Sequence, residues 1–397
     1  MKILFLSDNF YPEVNAPANR TYEHCREWRR LGAEVTVITC VPNFPRGKVF
    51  NGYKNKLVQT ETIDGIRVVR VWSFISANEG KVKRILDYVS YAFTSLIASL
   101  FYKSDIIIAT SPQFFTALSG SLASFFKRTP WIMEVRDIWP ESIVAVGAMG
   151  KSKTIHFLEK IEKYLYRSAR KVVVVTDSFK QNLIGKGVSD CKIHVVKNGV
   201  NLAKFVPIPK NEQILDKYGL RDKFVIGYFG THGMAHKLDF ILQSAKKITD
   251  SGIHILLIGD GAEKSHLLQL KEKLQLKNVT MLASVSKDEM QQYISTIDVA
   301  LVNLRKSDTF KSVIPSKIFE NAAMLKPILL GVEGESQAII EQYQSGICFE
   351  PENEKDFLEK LSVIKSSYND YLKGCKQLAT DFDRTTLAIK MYNIIQN

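Results

Sequence analysis

Two series of short β-branched runs dominate this chain. The first comprises "KILFLSD", "EVTVITC", "IRVVRVW", "DIIIATS", "PWIMEVR", "KVVVVTD" and "IHVVKNG"; the second, after residue 220, comprises "FVIGYFG", "HILLIGDG", "VTMLAS", "VALVNL" and "PILLGV". Each run is apolar at consecutive rather than alternate positions, and helical segments separate them. A strand that is apolar on both sides must be covered on both faces, which is the situation of a parallel sheet in a doubly wound α/β fold. Two series predict two such Rossmann-like domains in tandem, and 397 residues are too many for one ordinary core. Between them, "NGVNLAKFVPIPKNEQ" breaks regular structure at Asn198-Gly199, Pro207 and Pro209, so domains are expected over 1–203 and 204–380 with a hinge-like linker.

Charge separates the halves. Residues 1–200 carry 29 Lys and Arg against 17 Asp and Glu, and the remainder is nearly balanced, within a net charge of +13. A basic first domain favours anionic partners: lipid headgroups, phosphorylated substrates or nucleic acid. No recognised nucleic-acid-binding motif or concentrated Lys/Arg tract supports the last of these. The five cysteines are scattered and odd in number, which indicates neither a disulfide framework nor a zinc site and suits a reducing cytosol. Asp8 interrupts the first apolar run too early for a secretory signal, and Val89–Tyr102 is shorter than the roughly 20 residues that span a bilayer.

In doubly wound sheets ligands bind beyond the carboxyl ends of the strands, where loops enter helices and free N–H groups favour phosphate. With two domains, the expected site is the cleft that they face. Four loops qualify. In "SDNFYPEVNAPANR" the small residues Asn15, Ala16 and Ala18 would admit a ligand closely; a turn that merely packs reads the same way. In "YFGTHGMAHKLDFIL", Gly230 and Gly233 follow a strand and Lys237 opens a helix, a place unfavourable for a cation unless an anion binds nearby. "LLIGDGAEK" is a third such unit, whose Asp260 and Gly261 could serve the turn alone. In "IPSKIFENA", Pro315 suits a first helical turn, Ser316 and Lys317 would leave main-chain donors, and Glu320 could accept two hydrogen bonds from a ribose diol or simply favour the helix dipole.

In that order, with "PNFPRGKVFNGYKNK", "ATSPQ" and "EVRDIWPES" before them, these segments resemble the family 4 retaining glycosyltransferases over essentially the whole chain. They further resemble a subgroup from bacterial surface-polysaccharide pathways that includes an N-acetyl-L-fucosamine transferase, WbuB. The resemblance implies the GT-B fold, an acceptor-binding first domain, a second domain for a nucleotide-sugar donor, and a last helix, about 381–397, packed back on the first domain. It implies that Lys237 holds the donor diphosphate, Glu320 the ribose, main chain at Ser316, Lys317 and Ile318 the phosphates, and the turn at Val285 the base. Two positions depart from the family: Ser312 stands for the first glutamate of E-x7-E, and Thr231 for an arginine after Gly230. His232, His236 or Lys317 would have to replace that arginine's charge. A family histidine is likewise replaced within Thr110-Ser111-Pro112.

At "EVRDIWPES", Glu134, Arg136 and Asp137 end a strand. Asp137 caps a helix or takes a proton from the acceptor hydroxyl, with Glu134 as second candidate for the base. There is no D-x-D pair, so fixed positive potential is expected to stabilise the leaving diphosphate, and no metal or other cofactor is expected. Retention would follow from front-face attack, with the diphosphate helping to take the proton. Arg46, Lys48, Lys54 and Lys56 beside Phe44, Phe50 and Tyr53, and "KVKR" before a helix, suit an anionic membrane interface or an ordinary solvated loop. The expected enzyme is peripheral on the cytoplasmic face and transfers a sugar from a UDP-N-acetyl-6-deoxy donor, such as UDP-N-acetyl-L-fucosamine, to a polyprenyl-diphosphate-linked saccharide of O-antigen, capsule or lipopolysaccharide. A GT-B-fold UDP-sugar 2-epimerase and a noncatalytic nucleotide-sugar binding module are the rival readings.

Overall fold

A computed structural model describes residues 1–44, 46–76, 81–111, 114–141 and 152–397. Of the positions singled out above, Pro45, Pro112, Ser142 and the side chains of Lys81 and Val82 lie outside the described residues. The chain forms two compact units, Met1–Lys197 with Arg384–Asn397, and Asn198–Asp383. The division thus falls six residues before the expected 203/204 boundary. The reason is local: Val200 bridges to Asp383, and its N–H donates to the Phe382 carbonyl, so the start of the linker belongs to the second unit.

The first unit holds an eight-stranded sheet among the described residues: β1 (Lys2–Leu6), β2 (Glu34–Thr39), β3 (Val58–Ile63), β4 (Ile66–Val71), β5 (Ile106–Thr110), β6 (Trp131–Val135), β7 (Lys171–Val174) and β8 (Ile193–Val195). Its order is β3-β4-β2-β1-β5-β6-β7-β8, parallel except for the β3/β4 hairpin. The apolar runs are explained by two cores. Leu4, Leu6, Ile107, Trp131 and Val172 pack on one face, and their neighbours Ile3, Phe5, Ile106, Ile132 and Val173 on the other. Fully burying each such side chain contributes about 1.5–3 kcal/mol. The last helix, Arg384–Gln396, completes the second of these cores with Leu387, Met391 and Ile395, and Trp28 donates to its Ala388 carbonyl at 2.9 Å.

The second unit carries β9 (Phe224–Phe229), β10 (Ile253–Ile258), β11 (Val279–Leu282), β12 (Val299–Asn303), β13 (Ile328–Gly331) and β14 (Gly346–Cys348), all parallel, in the order β11-β10-β9-β12-β13-β14. The order reverses between β9 and β12, so the loops leaving these two strands flank the crevice where such sheets take ligands. Strands β3 and β14 lie outside the two apolar series. The first alternates exposed and half-buried residues at a sheet edge, and the second is only three residues long.

Candidate active site

In the second unit, three loops interlock beyond the carboxyl ends of β9, β10 and β12. Gly230 donates to the Ile258 carbonyl at 2.9 Å, His232 to Asp260 at 2.8 Å, and Glu263 donates back to His232 at 2.9 Å. The fit requires glycine. A Cβ on Gly259 would lie 1.7 Å from the Gly230 carbonyl oxygen, and one on Gly261 would lie 2.5 Å from that of His232. Both glycines have φ near +155° (156° and 155°), open to them at little cost and strained for other residues. Asp260 and Gly261 therefore shape this contact between loops, in addition to their own turn.

Lys317 lies at the centre. Its Nζ is 2.9 Å from the point a Gly230 Cβ would occupy, and 4.1 Å from the centroid of the Tyr228 ring, whose π face favours a cation. The Tyr228 hydroxyl donates to the Thr231 carbonyl at 2.7 Å, which fixes ring and loop together. Lys317 makes no salt bridge among the described residues. Burial pushes its pKa down to about 8, against the supporting charge of half-buried Glu320 one turn further along. The N–H groups of Thr231, Ser316 and Lys317 also meet no acceptor among the described residues, whereas that of Ile318 already donates to Pro315 at 3.1 Å. Pro315 and Ser316 thus lead into the helix Lys317–Ala323 with two free donors beside one unneutralised ammonium.

Several expectations change here. Lys237 is the left-handed residue (φ 47°) before the helix Leu238–Ala245, and its ammonium pairs with Asp239 at 2.9 Å. It lines an open pocket with Met234, Glu263 and Arg305. Its ammonium is thus shared with Asp239, while the ammonium beside Gly230 is that of Lys317. Burial, with Lys317 nearby, lowers the pKa of both His232 and His236 to about 4, so in the unliganded chain it is Lys317 that carries the charge of this group at pH 7. Both ring nitrogens of fully buried His232 lack a partner among the described residues. Val285 is half-buried against the core, next to a capping box formed by Ser286 and Glu289. Ser312 ends a short 3-10 turn, its hydroxyl 3.4 Å from the Thr309 carbonyl.

Sequence reasoning passed over Tyr228 and Asn303. Asn303, the last residue of β12, donates through Nδ2 to the His236 carbonyl at 2.9 Å and so ties the two loops of the crevice together. A buried amide at the end of an otherwise apolar strand was the available signal.

In the first unit, Asn15 caps the helix Ala16–Arg30, accepting from Ala18 N–H at 2.8 Å, and donates to Asn9 at 2.6 Å; Ala16 beside it is exposed. One oxygen of Glu134 is engaged and the other, Oε2, meets no partner among the described residues. Glu134 is fully buried in an ion pair with Arg20 at 2.9 Å, and this pair together with Arg136 lowers its pKa despite burial. Arg20 spans from it to the Val196 and Lys197 carbonyls, which makes the pair a brace for β8. Half-buried Arg136 has an unpartnered, buried Nη1, and its pKa falls to about 10 through burial and the nearby Arg20 and Arg384. Asp137 is half-buried and close enough to Tyr166 for its charge to raise that phenol's pKa. Trp139 anchors the turn by stacking on Phe114 at 5.6 Å. No group of three or more metal-ligating side chains occurs among the described residues.

Comparison with known proteins agrees with this geometry. A "Glycosyl transferase 4-like domain" matches residues 15–199, and "Glycosyl transferases group 1" matches residues 223–366. The colanic acid biosynthesis glycosyl transferase WcaI of Escherichia coli is 24% identical over 366 residues, covering 89% of each chain. A Campylobacter jejuni protein named N,N'-diacetylbacillosaminyl-diphospho-undecaprenol alpha-1,3-N-acetylgalactosaminyltransferase is 25% identical and covers 62% of this chain and 67% of its own. Among solved structures, HepE of Anabaena in complex with UDP superposes with a TM-score of 0.72 at 15% identity, covering all of both chains.

Proposed function

We propose a substrate pair for this chain, which belongs to the family 4 glycosyltransferases of the GT-B fold and serves bacterial surface-polysaccharide synthesis. It transfers a sugar, with retention of configuration, from a UDP-linked N-acetyl-6-deoxyhexose such as UDP-N-acetyl-L-fucosamine to a polyprenyl-diphosphate-linked saccharide. The observation that carries the donor side is the unneutralised Lys317 ammonium beside Gly230, with the free N–H groups of Thr231, Ser316 and Lys317 around it. This arrangement suits a diphosphate, because fixed donors in a partly desolvated pocket stabilise the charge that grows on the leaving group without having to reorganise. Glu320 accepts from the ribose hydroxyls, Val285 lies against the base, and Gly230 admits the phosphate main-chain contacts. The transfer needs no metal in this reading, since Lys317 and the main chain supply the positive potential.

On the acceptor side, Asp137 is the group that receives the attacking hydroxyl's proton, assisted by the departing diphosphate. Arg136, at the end of β6 beside Asp137, contributes positive potential towards the acceptor's phosphate. Asn15 and Ala16 line the first unit's loop after β1. The printed names of two relatives support these classes: HepE binds UDP, and the Campylobacter enzyme acts on a diphospho-undecaprenol sugar. We assign the protein a peripheral place on the cytoplasmic membrane face, because a polyprenyl-linked acceptor would reside there; no helix among the described residues is long and apolar enough to cross a membrane.

The test is incubation of the purified protein with a panel of UDP-sugars and a short-chain polyprenyl-diphosphate sugar, with products read by mass spectrometry. A product one N-acetyl-6-deoxyhexose heavier is expected. Clean UDP binding with no transfer from any donor would overturn the assignment and leave a binding module. Conversion of the UDP-sugar without an acceptor would instead indicate an epimerase.

A further inference from the structure

Strand β4 reads Ile66-Arg67-Val68-Val69-Arg70-Val71, and the fold buries every residue of it except Arg67. A buried arginine therefore stands among valines: Arg70 is 1% exposed. Taking a guanidinium out of water is costly, and replacing a buried ion pair by apolar residues of similar volume is often neutral or stabilising, so sheet stability alone gives little reason for it. Its donors show where it acts. Nε donates to Glu61 on the neighbouring β3, Nη1 to the Cys40 carbonyl at 3.1 Å and Nη2 to the Tyr11 carbonyl at 2.7 Å, and the Tyr53 ring centroid lies 4.9 Å from the guanidinium carbon. Tyr11 belongs to the loop after β1, Cys40 and Tyr53 to the loop after β2. One side chain from β4 thus holds two loops at once.

A second buried charge makes the same connection from within the first loop. Glu13, 2% exposed, accepts from the N–H groups of both Asn43 and Phe44 on one oxygen, each at 2.8 Å. The charge of Arg70 supports this carboxylate against its burial. The Thr39 hydroxyl adds a third tie, to the Asp8 carbonyl at 2.9 Å. Leu6 pairs with Ile38 and Thr39 with Arg70, so β1, β2 and β4 end together and the tied loops stand beyond their carboxyl ends. The strand order reverses at β1, between β2 and β5, which puts the first loop at the crevice where such a sheet takes its ligand. Asn15 and Ala16, given to the acceptor side above, close that loop.

We propose that Arg70 and Glu13 are positioning residues for the acceptor: they hold the loops after β1 and β2 in the arrangement that receives its saccharide. The proposal rests on the reading that the first unit takes the acceptor, and it names the side chains that shape the place.

The experiment compares Arg70→Lys, Glu13→Leu and Glu13→Gln with wild type on the full chain. Calorimetric titration gives the Kd of UDP and of the short-chain polyprenyl-diphosphate sugar, transfer kinetics give kcat/KM for that acceptor, and thermal unfolding gives the midpoint. Lysine keeps the charge but lacks the planar fork that reaches two carbonyls together. Arg70→Lys and Glu13→Leu should each weaken acceptor binding and lower kcat/KM at least about tenfold, with the Kd of UDP within about twofold of wild type. Glu13→Gln keeps an oxygen for both N–H groups and should recover most of the lost acceptor affinity. An unchanged acceptor Kd in folded Arg70→Lys and Glu13→Leu would overturn the proposal. A parallel fall of midpoint, UDP affinity and acceptor affinity would do so too, since it marks a support of the fold only. Should Arg70→Lys not fold, the two Glu13 variants decide by the same criteria. Wild type that binds UDP but not the acceptor also overturns it and leaves the donor side standing. Wild type that binds both and transfers no sugar refutes the sugar-transfer reading instead, while the acceptor Kd values still decide this proposal.

Discussion

Replacing Lys317 with methionine should move stability and donor binding in opposite directions. In the structure the ammonium makes no salt bridge among the described residues and sits on the Tyr228 ring, and burial lowers its pKa from 10.5 to about 8 against the support of the Glu320 charge. A shift of this size corresponds to roughly 3 kcal/mol, an upper bound on what the protein sacrifices at pH 7 to hold the charge there. The sign follows from linkage: between pH 8 and 10.5 the unfolded chain binds the extra proton, so the penalty is full below pH 8 and vanishes above about 10.5. Lys317→Met keeps most of the stem's volume and removes the charge, so it should raise the thermal midpoint at pH 7, with a gain that disappears near pH 10.5. The same change deletes a charge-assisted contact to the diphosphate worth about 1.5–3 kcal/mol, which predicts a Kd for UDP higher by roughly 10- to 150-fold. Calorimetric titration with UDP and thermal unfolding over a pH series measure both. An unchanged UDP affinity combined with a lower midpoint would show Lys317 to be a structural residue and sink the reasoning.

The linked expectation for the wild type is a loss of UDP affinity as pH rises through about 8, with net proton uptake on binding above that value, read from titrations in buffers of different ionisation enthalpy. Gly259→Ala should abolish UDP binding and lower stability, since the new Cβ would overlap the Gly230 carbonyl; retained binding on a filter or calorimetric assay would refute the interlocked-loop account. Arg20→Leu should lose up to about 3–5 kcal/mol in denaturant unfolding at pH 7 by leaving buried Glu134 without its ion-pair partner and with only Arg136 to support its charge, and the gap to wild type should narrow as pH falls and Glu134 takes up a proton. Glu320→Gln should erase the wild type's preference for UDP over 2′,3′-dideoxy-UDP, and a preserved preference would remove the ribose role.

Much of the architecture was readable because doubly wound sheets leave a coarse imprint: both faces of β1, β5, β6 and β7 are buried, so their residues are apolar without alternation. The β3/β4 hairpin was missed although its signal is present. Asp64-Gly65 adopts positive φ at both positions, 47° and 76°, the expected turn between antiparallel strands, but β3 alternates as an edge strand does and carries no apolar run. The positions of Gly230, Ser316 and Glu320 in loops and first turns that follow strands were legible, because the strands before them carry the apolar runs. Their charge balance was not. Lys237 has a helix-start position that suggests an anion, yet the nearest anion is Asp239, two residues along.

What the sequence determined by itself is the class of fold and the loops that matter, because burial on two faces and strand-to-helix transitions are local properties of the chain. Tertiary structure decided which cation is available and which carboxylate is already used. Lys317 stands without a salt bridge among the described residues because β9, β10 and the helix Lys317–Ala323 bring it to Gly230 and Tyr228, while one oxygen of Glu134 is held by Arg20, 114 residues away in sequence. Ionisable groups act through distance and desolvation, and both are set by the folded chain.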